Sequence, residues 1–225
     1  MAWLVRLLNP LVWRRKAHAA RKLYQFSLAE HGSMIDLQLA ARLTACPKRA
    51  ALYLRHASDE QRHARLFWQQ SSVLRDGLGK VAYPRPQADT EHLFENLGEV
   101  LFLAFVHYGE RRARIQFEGY IEYFQRKADK PMLKLFLAIV PDEIRHETYT
   151  GKLLEELAGS QTAGMEALRK VARWEWWRRW RRMGRSLVLP VYRLSMWIVY
   201  LGLLPMVALA RILRPFRPGW RRLPP

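Results

Sequence analysis

The feature that most constrains this chain is a pentapeptide that occurs twice. Residues 59–63 read Asp-Glu-Gln-Arg-His, and residues 142–146 read Asp-Glu-Ile-Arg-His. On a helix, residues three positions apart share a face, so the glutamate and the histidine of each copy point the same way. A carboxylate and an imidazole on one face suit iron, manganese or zinc. One such motif arises by chance on surface helices, but two near-identical copies predict a metal site.

Each copy also has a candidate partner glutamate upstream. Glu30 precedes Glu60 by 30 residues, and Glu110 precedes Glu143 by 33 residues. Turn signals that contain proline lie near the midpoint of each interval. If each half is an antiparallel helix pair, both of its glutamates lie about 14 residues from the turn, on the order of 20 Å from the bend. The spacing therefore predicts that four glutamates and two histidines meet at one level of a helical bundle.

This pattern resembles the ferritin-like di-iron carboxylate superfamily, of the rubrerythrin and di-iron hydroxylase-oxidase type. In that fold, one Glu from each of two helices and a Glu-x-x-His from each of the other two meet inside a four-helix bundle. The resemblance covers roughly residues 15–158. It implies two iron ions, with manganese as an alternative. The implied ligands are the bridging Glu60 and Glu143, one histidine for each ion (His63 and His146), and the terminal Glu30 and Glu110.

Several alternatives stay open at this site. Glu118 competes with Glu110 for the terminal position on the third helix. Asp59 and Asp142 either hydrogen-bond the ligand histidines across the bundle and fix their tautomers, or pair with neighbouring arginines. Tyr149 either contacts a metal ligand or packs as an ordinary core tyrosine. A solvated, charged helix face is the alternative for the pattern as a whole.

Apolar periodicity and helix breakers predict an all-α fold, a ferritin-like antiparallel four-helix bundle with a long crossover. The predicted helices span about 15–44, 47–74, 91–127 and 131–158. Residues 77–90, with two prolines, are expected to form the crossover. Pro141 is expected to bend the fourth helix. The inward stripe of the first helix is approximated by Leu23, Phe26, Ala29, Ile35, Leu39 and Leu43.

The formal net charge of +18 is concentrated at the two ends of the chain. Residues 1–22 carry 6 Lys/Arg and no acid, and residues 169–225 carry 14 Lys/Arg and one acid, Glu175. Eight of the 9 tryptophans lie in these same two segments. Arginine and tryptophan beside long aliphatic runs are typical of a membrane interface. Nucleic-acid surfaces also combine basic and aromatic residues but need no such apolar runs, so nucleic acid is disfavoured as a partner.

The distribution of basic residues and tryptophans predicts that the chain has three parts. Residues 1–14 are interpreted as an interfacial segment, with packing on the bundle as the alternative. Residues 15–160 are the predicted di-metal bundle, and residues 161–225 are a basic, Trp-rich region with amphipathic and hydrophobic membrane-associated helices. The clean apolar run, about Leu194–Ala210, is at the lower limit for spanning a bilayer, and an in-plane hairpin is equally compatible. We expect the protein at the cytoplasmic face of a membrane.

Together these features predict a membrane-associated non-haem di-iron oxidase or hydroxylase, an O2-dependent oxidoreductase of the monooxygenase or oxidase type. The expected partners are a lipophilic small molecule, O2, membrane lipid and a second copy in a homodimer. With a single cysteine the sequence has no C-x-x-C electron-transfer module, so an external electron donor is also expected. The alternatives are a ferritin-like protein that handles iron or peroxide, a tRNA-modifying di-iron hydroxylase, and a scaffold without metal chemistry.

Overall fold

The structure, a computed structural model, describes residues 9–87 and 92–213, except for the side chains of residues 182, 183, 185–188 and 213. Within these ranges all regular structure is helical, which confirms the predicted all-α class for the described residues. The helices are α1 (Lys16–Leu43), α2 (Pro47–Asp76), α3 (Leu93–Leu97), α4 (Glu99–Lys127), α5 (Lys130–Ala158) and α6 (Gln161–Leu213), after a short helical stretch at 9–13.

The first two helices form an antiparallel hairpin. Thr44 leaves α1 in an extended conformation, and Pro47 occupies the first turn of α2, where its missing N–H costs no intrahelical bond. Far from this turn, the Ser71 hydroxyl donates to the Ala20 carbonyl at 2.7 Å. Both predicted helices are confirmed to within two residues at each end.

The second pair, α4 and α5, is also an antiparallel hairpin. Ala128 adopts a left-handed conformation between them, and the Asp129 side chain caps α5 by accepting a hydrogen bond from the Met132 amide at 3.2 Å. Helix α5 continues through Pro141 without ending there. Near the far end of the hairpin, the ring of His107 lies against Gly151, where an added Cβ would meet it at 3.0 Å.

The start of the third long helix differs from the prediction. Helix α4 begins at Glu99 rather than near residue 91, because Gly98 has a positive φ of 73° that separates it from α3. Glu91 itself lies outside the described residues. The Glu99 carboxylate accepts hydrogen bonds from Thr44 at 2.7 Å, from Arg49 Nε at 2.7 Å and from Tyr53 at 3.1 Å. These bonds fix the entry of the second hairpin against the turn of the first.

Helices α1, α2, α4 and α5 all contribute to one aromatic core. Phe26 of α1 packs on Phe67 of α2 with ring centroids 5.2 Å apart, and on Phe117 of α4 at 5.4 Å. Phe136 of α5 packs on Phe117 at 5.3 Å. Burying side chains of this size contributes about 1.5–3 kcal/mol each. This shared core holds the two hairpins together as a helical bundle.

The predicted stripe of α1 is wrong in part. Leu23 and Phe26 are buried, but Ala29 and Leu43 are exposed, and Ile35 and Leu39 are only partly buried. The buried face continues instead through Met34, Leu37 and Ala40. These residues follow the 3.6-residue period from Leu23, whereas a spacing of four drifts off the face.

Residues 9–13, part of the predicted interfacial segment, pack on the bundle. The Trp13 ring makes edge-to-face contacts with Tyr120 at 4.9 Å and Phe124 at 5.1 Å, and only 7% of it is exposed. The Asn9 side chain is buried and donates to the Gly119 carbonyl at 3.1 Å. Packing on the bundle, the alternative given for this segment, therefore describes residues 9–13. Residues 1–8 lie outside the described part of the chain.

The chain divides into two compact units, Met1–Ala172 and Arg173–Pro225. In the first, Ala167 and Val171 of α6 are buried. In the second, the 24-residue stretch Leu189–Ile212 has a mean hydropathy of 1.7, with none of it buried inside the protein. It runs as helix through Pro190 and Pro205. By length and composition, this stretch is able to span or anchor in a membrane. The basic tail after Leu213 lies outside the described residues.

Candidate metal centre

The structure brings the six predicted ligand residues together inside the first unit. Helices α2 and α5 each present one copy of the repeated motif, and α1 and α4 each add one glutamate. Five of the six side chains are buried, with exposures of 7% or less. Glu30 is the exception, since part of its surface remains exposed. The six are Glu30, Glu60, His63, Glu110, Glu143 and His146.

The ligand atoms fall into two overlapping groups. Glu60, His63 and Glu143 form one group, and a second joins Glu60 to Glu110, His146 and His56; within each group the candidate ligand atoms all lie within 4.8 Å of one another. Glu60 is common to both, which is the arrangement expected of a bridging carboxylate. Glu30 is outside both groups but lies close enough to Glu60 for a hydrogen bond between their carboxyl groups.

His56 is a candidate ligand that the sequence interpretation missed. It is 1% exposed, and its Nε2 lies 3.0 Å from Glu60 Oε1 and 3.4 Å from Glu110 Oε1. Its ring also lies against the ring of His146, with centroids 3.6 Å apart. A signal was present, because His56 precedes Glu60 by four residues and therefore shares its helix face. The three-residue spacing of the repeated motif does not include it.

The two motif histidines are held from outside by reciprocal aspartates. His63 Nε2 lies 3.2 Å from Asp142 Oδ2, and His146 Nε2 lies 3.2 Å from Asp59 Oδ2. Asp59 and Asp142 therefore take the first of the two roles considered for them. They take the second as well, because Arg145 contacts Asp59 at 2.7 Å and Asp142 at 2.6 Å. With each Nε2 donating to a carboxylate, each Nδ1 is left as a lone-pair donor facing inward.

Three unsatisfied atoms at the centre could serve as ligands of a cation. Among the described residues, His63 Nδ1, His146 Nδ1 and Glu143 Oε1 are buried without a hydrogen-bond partner. His63 Nδ1 and Glu143 Oε1 are only 3.3 Å apart, and His146 Nδ1 is 3.5 Å from both Glu60 and Glu110. Buried polar groups are normally paired, and leaving one unpaired costs about 1–3 kcal/mol. These lone pairs converge, so the residues fit a metal ion.

Burial and mutual proximity shift the pKa values of the glutamates in the cluster. Burial raises the pKa of Glu30 to about 7, with the nearby Glu110 carboxylate acting in the same direction. Burial also raises the pKa of Glu60 and of Glu143 well above the usual range, and neighbouring glutamates add to both shifts. For Glu110, burial opposes ionisation, but the adjacent His56 and His146 lower its pKa overall. Without a cation the cluster therefore retains protons on several carboxyl groups.

The remaining candidates are also placed. The Tyr149 hydroxyl lies 2.7 Å from His56 Nδ1, so it contacts a residue of the cluster rather than packing as a simple core side chain. Glu118 pairs with Arg114 at 2.8 Å and is 43% exposed, so it does not join Glu110 in the cluster. His107 contacts the Glu147 carbonyl at 3.1 Å and belongs to neither ligand group.

A small cavity of about 120 Å³ lies beside the cluster. It reaches two residues of the second ligand group, His56 and His146, and the tyrosine that holds His56. Its lining is Leu52, Arg55, His56, Asp59, Arg145, His146 and Tyr149. The cavity gives a small molecule an approach to the cluster between α2 and α5.

No family model matches this sequence, and comparison with curated proteins and with solved structures finds no significant match. The description of the centre therefore depends on its residues and their geometry alone.

Proposed function

We propose that this chain is a ferritin-like di-metal protein whose bundle holds two iron ions, or manganese, and that it is an O2-dependent oxidoreductase of the oxidase or monooxygenase type. One observation carries the proposal: buried histidine nitrogens without partners face buried carboxylates from three helices, α2, α4 and α5. Two divalent ions bring four positive charges, and the four glutamates bring four negative charges. This balance makes a buried cluster of so many polar groups tolerable.

When bound, a pair of such ions would supply O2-dependent oxidation chemistry. The chain's own residues orient and protect the site. Asp59 and Asp142 hold the histidine rings in one tautomer. The aromatic core around Phe117 and Phe136 closes one side of the bundle to water. Burial raises the pKa of Tyr149, so its hydroxyl stays protonated beside the cavity and next to His56.

We further propose a lipophilic substrate and a membrane location, at the cytoplasmic face. Support comes from the second unit, where Leu189–Ile212 offers an exposed apolar helix. Before it, Trp176 packs edge-to-face with Trp177 and Trp180, and all three remain about half exposed. Exposed tryptophans beside arginines suit the headgroup level of a membrane. Reducing equivalents would come from a separate donor protein.

Metal analysis of the purified full chain tests the first part of the proposal. We expect close to two iron or manganese ions per chain, and O2 consumption when a chemical reductant and the co-purified lipid extract are supplied. A metal content near zero after growth with iron and manganese would contradict the di-metal assignment. Two bound ions with peroxide consumption but no oxidised lipid would favour the iron- or peroxide-handling alternative.

A further inference from the structure

The three histidines of the cluster share one arrangement. Each points one ring nitrogen at the buried carboxylates and has the other nitrogen held by a side chain from the opposite motif helix. For His63 and His146 the outer partner is an aspartate at 3.2 Å, and for His56 it is the Tyr149 hydroxyl at 2.7 Å. Metal-ligating histidines almost always have their second nitrogen fixed in this way.

We propose that His56 is a metal ligand through Nε2, at the position formed by Glu60, Glu110 and His146. It would be the third histidine ligand of the cluster and the second at this position. This inference rests on the proposed function, because it requires that the cluster binds two ions. It makes the two positions unequal. One position is offered two imidazoles, and the other, formed by Glu60, His63 and Glu143, is offered one.

The geometry of His56 favours coordination over a purely structural role. Nε2 lies within 3.4 Å of oxygens from two different glutamates, on α2 and α4, and a single N–H can be directed well at only one of them. A cation between these groups satisfies the nitrogen and both carboxylates together. The contact with the His146 ring, 3.6 Å between centroids, aligns the two imidazoles beside each other.

The unequal ligand sets predict an order of metal binding. Cobalt, nickel and zinc prefer imidazole nitrogen to carboxylate oxygen, whereas manganese prefers carboxylate oxygen. The first equivalent of Co(II) should therefore occupy the position with His56 and His146.

Proton NMR of the full chain loaded with Co(II) counts the ligands directly. Each coordinated histidine gives one strongly shifted, exchangeable ring N–H signal, which disappears in heavy water. We expect three such signals, from His56, His63 and His146. Two signals in a chain that binds two Co(II) ions would overturn the role of His56 but leave the proposed function standing. Failure to bind two ions would overturn both.

Substitution of His56 provides a second readout. His56→Gln should weaken the tighter of the two Co(II) binding steps by at least about 10-fold and remove one shifted signal. Tyr149→Phe keeps His56 but removes the hydroxyl that holds its Nδ1. The affinity should therefore fall less, and all three signals should remain. His107→Gln is the matched control, because His107 is a half-buried histidine that is bonded to α5 and belongs to neither ligand group. If His56→Gln binds both ions like His107→Gln, the inference is wrong.

Discussion

His146 on α5 donates from Nε2 to Asp59 on α2 across 3.2 Å, and the same distance separates His63 on α2 from Asp142 on α5. Each copy of the repeated motif therefore orients the histidine of the other copy. The aspartate that opens each pentapeptide bonds the histidine of the opposite hairpin.

Replacing Asp59 should weaken metal binding, although Asp59 is not itself a proposed metal ligand. In Asp59→Asn the amide no longer provides a carboxylate acceptor for His146, so the ring loses its fixed tautomer. We expect metal affinity, measured by competition with a chelator, to fall about 10–100-fold. Glu118→Gln is the control, since Glu118 is a partly exposed acid bonded to Arg114. Equal affinities for the two variants would contradict the role of Asp59.

Neutralising a buried carboxylate should stabilise the metal-free protein while weakening its binding of metal. Burial and neighbouring glutamates raise the pKa of Glu143, so the folded state must retain a proton there that the unfolded chain releases at neutral pH. Glu143→Gln removes that cost, and we expect the free energy of unfolding of the apoprotein to rise by about 1–3 kcal/mol. Chemical denaturation after chelation measures it. A less stable apoprotein variant, or one that retains two ions, would contradict this account.

Metal binding should become tighter as the pH rises. Glu30 in the metal-free cluster has a pKa raised to about 7, and the pKa values of Glu60 and Glu143 are raised as well. Below these values a metal ion must displace protons, so affinity falls as the pH decreases through 7. Calorimetric titration in buffers of different ionisation enthalpy measures the protons released. Binding without proton release at neutral pH would show that the carboxyl groups are already ionised.

Two tryptophans distinguish core packing from membrane contact. Trp13 is 7% exposed inside the aromatic core, so Trp13→Ala should lower the free energy of unfolding by about 3–5 kcal/mol and leave membrane association unchanged. Trp176 is 50% exposed, so Trp176→Ala should leave stability almost unchanged and weaken association with lipid vesicles. Thermal unfolding and vesicle sedimentation measure the two effects. The opposite pattern would assign Trp13 to the membrane interface.

Membrane association of the full chain should resist salt. Burial of apolar side chains along Leu189–Ile212 does not depend on ionic strength, whereas attraction of arginines to anionic lipid is screened. We expect the full chain to stay in the membrane fraction in molar salt and to need detergent for release. A chain ending at Ala172 should be soluble and still bind metal. Release by salt alone, together with tight tRNA binding, would favour the tRNA-modifying alternative, because phosphate contacts weaken steeply with salt.

The sequence predicted the helix pairs and the six-residue cluster because its signals were local and repeated. Glu30 and Glu110 were placed only by their distance from a turn, and the antiparallel hairpins bring them to that level. His56 was missed because its meaning depends on groups from other helices. A histidine four residues before a glutamate is common, and only the approach of Glu110 and Tyr149 gives it a role.

The errors at helix level have similar causes. Glycine inside an apolar helical pattern is often tolerated, and only the positive φ of Gly98 shows that it separates two helices. On α1, Met34 and Leu37 are buried in place of Ile35 and Leu39. Met34 and Leu37 lie four and seven residues after Glu30, so the buried face of α1 is the face that carries this glutamate. Apolar character alone does not distinguish neighbouring leucines and isoleucines on a long helix.

The reciprocal aspartates make the two hairpins mutually dependent. A chain cut between residues 77 and 87 would yield halves that each contain a complete Asp-Glu-x-Arg-His sequence, yet each half lacks the acceptor for its own imidazole. Neither half alone should retain metal, whereas mixing them should restore binding. On the proposed function, a nascent chain would therefore load metal only after the second hairpin has docked, and a partly made protein would expose no reactive metal in the cell.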